Sequence, residues 1–385
     1  MKKNLSTLCF AGLVALTGLV ATGCGSDTTT VGNFGPTSSI HEYLIVANNN
    51  AAGSFTIKSQ NIQNGTSSVL NNQFTTGVGA NPTVVKTHPN INVFYVLNTG
   101  SATVSQYTMD ANGGAAFLGT VATPANPTLL NIHPSGGFVY VAGADAVDAA
   151  GTIRRFTVGS DGTLSNGVDV STVTNYTRSL SRVKDGDFSF GGGTFHVPQR
   201  GGVRSYSVNA DGTLGASVLA DSNSADDDLR DVDVRPGQAS LVASVRTPAP
   251  ANDSLRSWSV NNGVLSAPIE TPSVTEPLLG HGDFASNGQY YGGSGSNPRM
   301  FGYNVDNATG ALTPLASNPM QVTTGARSAF VNLDPSNNFM LSTGGNGDNV
   351  LVARFRGADG NTVGSTADSQ SLVNPNMFDY FTLNF

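Results

Sequence analysis

A chain of 385 residues with 46 glycines, 12% charged residues and a formal net charge of −7 is long enough for a sizeable core, and its acidic balance disfavours a nucleic-acid partner. The richness in Gly, Ser, Thr and Asn suits many short strands joined by turns and excludes a helical protein. Only two cysteines are present, Cys9 and Cys24, so neither a disulfide scaffold nor a cysteine zinc site is expected.

The first segment differs from the rest. Lys2 and Lys3 precede an apolar run from Leu5 to Val20, too short to span a membrane comfortably, and small residues Ala21, Thr22 and Gly23 stand before Cys24. This resembles a bacterial lipoprotein signal. The resemblance implies cleavage before Cys24 and a lipid on that residue, which makes the membrane the first partner. Residues 1–23 are then the signal peptide, 24–40 the lipidated cysteine and a flexible tether of linker composition, and 41–385 the folded domain. Gly25 occupies the place where Asp marks inner-membrane retention, so outer-membrane delivery is expected, on the periplasmic or the surface face.

From Tyr43 onward the chain repeats. Its clearest copy is Gly151 to Leu164, an alternating strand carrying Phe156 and Val158, a turn at Asp161-Gly162 and a new strand at Thr163-Leu164. Tyr206, Val208 and Asp211-Gly212-Thr213-Leu214 repeat it, as do Trp258, Val260 and Gly263, and Tyr303, Val305 and Gly310. A period of roughly fifty residues signals a propeller or solenoid. Each repeat divides into strands A to D from the axis outward. B strands are expected to begin near Tyr43, Val93, Phe138, Phe188, Ser240, Tyr290 and Phe339, and A strands near Pro82, Pro127, Arg178, Arg230, Leu279, Ser328 and Asn376.

The domain opens on a B strand without its A strand and ends on an A strand with nothing after it. Pairing the two leaves no open sheet edge. The expectation is therefore an all-β, seven-bladed β-propeller of four-stranded blades, its first blade closed by the C-terminal strand. Turns of the type His88-Pro89-Asn90 and His133-Pro134-Ser135-Gly136 join A to B, and they assign His88 and His133 to turn roles.

His-Pro-Ser-Gly-Gly-Phe-Val-Tyr-Val at 133–141, the later Asp161-Gly-Thr-Leu and the Phe94-Tyr-Val-Leu-Asn copy resemble the lactonase-type seven-bladed propellers, a family that includes 6-phosphogluconolactonases and exported proteins without assigned activity. Members with lactonase chemistry show Gly-Pro-Arg-His at the start of an A strand and Asn-Glu at the end of the next B strand. The resemblance places Arg178 and Arg230 on the Arg position and His281 on the His position of the next blade. No B strand here ends in Asn-Glu.

The expected binding set is Arg178, Arg230, Asp231, His281, His196 and Arg200, gathered on one face to hold an anionic sugar or carboxylate ligand, or an envelope protein. No cofactor is implied. No metal site is expected either, since the acidic run Asp226–Asp233 lacks a calcium-loop pattern and the five histidines fall on separate repeats. These features point to a monomeric, lipid-anchored envelope propeller that binds a ligand or partner without efficient catalysis. A lactone hydrolase of the 6-phosphogluconolactonase type and a structural surface protein are the alternatives.

Overall fold

Alternating apolar residues interrupted by Gly turns every ten residues or so leave the chain little choice but antiparallel hairpins, and hairpins are what it forms. The computed structural model describes residues 42–382 except 50–54, 64–65, 75–76, 111–113, 148, 166, 175, 177–182, 222–224, 226, 238–239, 247–252, 262, 273–278, 296, 322–328, 334–338, 344–350, 357–361 and 369–374. The signal peptide, the tether, Cys24 and Arg178 lie outside the described residues.

Four-stranded antiparallel sheets follow one another along the chain, each laid down in order from its inner to its outer strand. Pro82–Thr87, Val93–Asn98, Thr103–Met109 and Ala115–Ala122 make one such blade. The order recurs from Pro127–Ile132 to Val168–Val173 and from Asp187–Phe188 to Leu214–Asp221. Further blades start at the inner strands Asp228–Val234, Leu279–Phe284 and Phe330–Leu333. The strand Glu42–Asn49 pairs with Phe55–Gln63 on one side and with Pro375–Thr382 on the other. This is an all-β propeller fold with four-stranded blades.

Burial follows position in the blade. Val93–Asn98 is buried at every residue, because both of its faces are covered by neighbouring blades. The outer strand Ala115–Ala122 has no buried residue. Core clusters span adjacent blades: Tyr95, Leu97 and Val104 of one pack with Val139, Val141 and Phe156 of the next.

Polar ties recur between blades at fixed registers. The Tyr95 hydroxyl donates to the carbonyl of Gly162 at 2.8 Å, and that of Tyr140 donates to Gly212 at 2.7 Å, so the Asp-Gly turn of each template hairpin is gripped by the blade before it. Gly212 has φ +77°, and a Cβ there would stand 2.7 Å from the Phe138 ring; positive φ and close approach both require glycine. His88 accepts at Nδ1 from the N–H groups of Asn90 and Ile91, so its Nε2–H donates to the carbonyl of Gly136 at 2.9 Å. His133 reaches Gly192 in the same way at 3.0 Å. Both histidines are turn residues that link blades, as their sequence context indicates. Replacing Tyr140 by Phe orphans a buried carbonyl and is expected to cost about 1–3 kcal/mol, read as a lowered midpoint in urea unfolding with an unchanged slope.

One blade corrects the sequence reading. Phe188 does not begin a B strand; it ends the inner strand Asp187–Phe188, which pairs Phe188 with Phe195 of Thr194–Gln199. Among the described residues, the inner strand of this blade begins at Asp187. The cause lies in Gly191-Gly192-Gly193, where Gly191 and Gly192 take φ of +81° and +77° and make the tight turn between Asp187–Phe188 and Thr194–Gln199.

Candidate functional site

Inner strands carry side chains alternately, and at one register nearly every blade presents a polar group. Hydrogen bonds define that register. Oδ2 of Asp187 accepts from the N–H of Val234 at 2.9 Å, and Oδ2 of Asp283 accepts from the N–H of Leu333 at 2.9 Å. Asp379 does the same for Thr87 at 2.7 Å and also takes its hydroxyl at 3.0 Å. These three acceptors and the residue preceding each N–H donor give Lys86, Asp187, Asp233, Asp283, Asn332 and Asp379. These ties fix Asp187, Asp283 and Asp379 by the neighbouring backbone.

Around these groups lies a cavity of about 230 Å³, lined by Lys86, Asp185, Asp187, Asp233, His281, Asp283 and Asp379 together with Gly186, Gly282, Phe330, Val331 and Asn332. Five carboxylates therefore share one small space with one lysine and one histidine. Lys86 Nζ donates to Asp185 Oδ2 at 2.8 Å. Burial works against the charge of Lys86, but Asp185, Asp379 and Asp187 outweigh it and hold its pKa above the usual lysine range. Burial raises Asp187 to about 7 against the pull of two backbone N–H donors and Lys86, and raises Asp283 to about 7 against the same kinds of donor. Asp233 is pushed well above the ordinary carboxylate range by burial and then by the negative charges of Asp231 and Asp283. Near neutral pH the cavity thus holds protonated and ionised carboxyls together, and offers both donors and acceptors.

The residues expected from sequence fall in three places. Asp231 and His281 are brought together: His281 Nδ1 lies 3.4 Å from Asp231 Oδ1. His281 lines the cavity and stacks on Phe330, with 4.9 Å between ring centroids. Arg230 and Arg200 belong to a separate charged cluster. There Lys184 Nζ pairs with Asp228 at 3.0 Å, Arg256 pairs with Asp227, and Arg200 Nε donates to the Ala225 carbonyl at 3.1 Å. Burial lowers the pKa of Lys184, Asp228 opposes that, and the charge of Arg230 adds to it. His196 joins neither group. It is fully buried within its blade, with Nδ1 2.8 Å from the Ser205 hydroxyl, and burial lowers its pKa to about 4.

Sequence reasoning missed Lys86, Asp185, Asp187, Asp233, Asp283 and Asp379. The signal was present as Lys-Asp-Gly-Asp-Phe at 184–188 and Gly-His-Gly-Asp-Phe at 280–284, two inner strands with an aspartate at one register.

Four-stranded blades set around a polar cavity define a β-propeller whose inner strands bear the chemistry. Residues 43–182 match the family model described as lactonase, 7-bladed beta-propeller. No curated protein matches it. The Pseudomonas aeruginosa periplasmic gluconolactonase is similar in structure, at a TM-score of 0.68 and 17% identity over 88% of this chain and 99% of that one. A Bacteroides uniformis protein provisionally described as a 6-phosphogluconolactonase gives 0.71 and 16% over 89% and 100%. At such identities the likeness is one of fold.

Proposed function

We propose that the protein is an envelope-localised, lactonase-like propeller of seven blades that holds a small polyhydroxylated molecule of the sugar or sugar-lactone class in its inner cavity. The observation that carries this is the lining itself: five aspartates, Lys86, His281 and Asn332 around about 230 Å³. Such a lining satisfies several hydroxyls at once, since ionised carboxylates accept and protonated ones donate. The volume falls below the roughly 300–1,000 Å³ of drug-sized pockets and suits a ligand of monosaccharide size. An uncharged ligand fits this acidic lining better than the anion expected from the arginines, because Arg200 and Arg230 lie beside Asp227 and Asp228, away from the cavity lining.

Closure into seven blades is supported by Pro375–Thr382, which pairs with Glu42–Asn49 and reaches the next inner strand through Asp379. The lipoprotein-type signal and Cys24 support an envelope location, as does the likeness to a periplasmic gluconolactonase. A second reading, lactone hydrolysis, is favoured by the placing of His281 beside Asp231, a pairing that orients an imidazole to take a proton from water.

One NMR experiment separates the readings. Sugar lactones and their open-chain acids are titrated at pH 6 with the protein, following line broadening for binding and the disappearance of lactone for turnover. Saturable binding without accelerated ring opening is expected, weakened about tenfold by Asp283→Ala, the loss of one hydrogen bond to the ligand. Broadening of no sugar or lactone resonance contradicts the proposal. Protein-dependent ring opening moves the assignment to hydrolase.

A further inference from the structure

Two residues before Asp187, Asp233 and Asp283, three consecutive blades place Asp185, Asp231 and His281 side by side, and a ligand atom from each lies within 4.8 Å of the others. The backbones that carry them are tied in register. Asp185 N–H donates to the Arg230 carbonyl at 2.8 Å, Val232 N–H donates to the Asp185 carbonyl at 3.1 Å, and His281 N–H donates to the Ala329 carbonyl at 2.8 Å. Each carboxylate has one oxygen engaged: Asp185 Oδ2 by Lys86 at 2.8 Å and Asp231 Oδ2 by the N–H of Gly282 at 2.7 Å. The remaining atoms, Asp185 Oδ1, Asp231 Oδ1 and His281 Nδ1, are buried and have no hydrogen-bond partner. Asp231 is only 1% exposed, and leaving a buried carboxylate oxygen without a hydrogen bond costs free energy.

The geometry points to a divalent-cation site formed by Asp185 Oδ1, Asp231 Oδ1 and His281 Nδ1. Each carboxylate is held by an outer partner that aims its second oxygen at the common centre, and the His281 ring is held by stacking on Phe330, the arrangement that orients metal ligands. Ligand atoms bound at about 2.0–2.2 Å sit roughly 3–3.5 Å apart, so small side-chain rotations close the set onto an ion. Two carboxylates and one imidazole form a borderline donor set with open positions, which selects Zn²⁺ or Mn²⁺ over Ca²⁺, an ion that takes six or more oxygens. Lys86 opposes a cation here, and the charge of Asp379, which acts on Lys86, offsets it. Open coordination positions beside the cavity would face the hydroxyls of a bound sugar. Because the three residues lie about one blade repeat apart in the chain, reading short spacings for a metal motif passes over them.

The test uses the full chain stripped with chelator, with no sugar present, so that its outcome is independent of the ligand reading. Zn²⁺ and Mn²⁺ are titrated calorimetrically, and bound metal is counted after gel filtration. One equivalent is expected, raising the thermal midpoint, with affinity reduced at least a hundredfold in both Asp231→Asn and His281→Ala and with Ca²⁺ inert at the same concentration. Absence of stoichiometric binding, or equal affinity in His281→Ala, overturns the site and leaves His281 and Asp231 as a simple ion pair. Should the variants fold poorly, the Co²⁺-loaded wild type decides: a paramagnetically shifted, exchangeable imidazole N–H resonance is expected from His281, and its absence refutes the assignment.

Discussion

A chain ending at Asn374 is expected to lose cooperative unfolding. Its missing segment, Pro375–Thr382, supplies the ladder partner of Glu42–Asn49, from Glu42 opposite Thr382 to Val46 opposite Phe378. With it goes Asp379, whose carboxylate holds both the N–H and the hydroxyl of Thr87 on the next inner strand. Ile45, Val46 and Ala47, all fully buried, are left on an open edge. At about 0.5–1.5 kcal/mol for each lost hydrogen bond, the total is on the order of 5 kcal/mol, comparable to the whole stability of many domains. Urea unfolding followed by tryptophan fluorescence reads this through Trp258, which lies in a different blade. A broad, early transition is the expected result of the proposed closure, through which the loss reaches every blade. A sharp transition at the wild-type midpoint would show that the C-terminal strand closes nothing.

Acid should destabilise the protein through His196. Its imidazole is fully buried, and burial lowers its pKa to about 4 from an ordinary 6.5. In the unfolded chain the residue takes up a proton as pH falls through 6.5, whereas the folded protein holds it neutral until about 4. The unfolded state therefore binds more protons in that window, and the stability this group contributes is complete above 6.5 and is lost as pH falls through 4. A difference of this size corresponds to roughly 3 kcal/mol. His196→Gln keeps a partner for the Ser205 hydroxyl and does not titrate. Its thermal midpoint should fall less between pH 7 and pH 4 than that of the wild type. Parallel curves for the two proteins would place the acid sensitivity elsewhere.

The sequence made the hairpins legible because each needs the same alternation and the same Gly turn. Val93, Phe138, Ser240 and Phe339 begin strands where the repeat places them. The reading slipped at blade four, where Phe188-Ser189-Phe190 imitates the start of a B strand while Phe188 closes the inner strand and Gly191 and Gly192 make the turn. A B strand starting at Phe188 would leave Asp185 and Asp187 in a turn, whereas Asp187 lies on the inner strand. His281 and Asp231 were legible as polar residues on inner strands, and the structure brings them together. His196 and Arg200 were grouped with them by loop proximity along the chain, yet strand pairing sends His196 into a blade interior and Arg200 to the acidic segment at Asp227 and Asp228. A ring of carboxylates contributed one per blade has no short spacing to betray it. Only the three-dimensional superposition of inner strands makes Asp187, Asp233, Asp283 and Asp379 neighbours.

The claim on which this account turns is that function resides among those carboxylates and not at the arginine cluster. Calorimetric titration of one sugar-lactone ligand into the wild type, Asp283→Ala and Arg200→Ala measures that choice directly. The account predicts affinity cut about tenfold by Asp283→Ala, the loss of one hydrogen bond to the ligand, and left unchanged by Arg200→Ala; the reverse pattern would contradict it and return the site to the arginines.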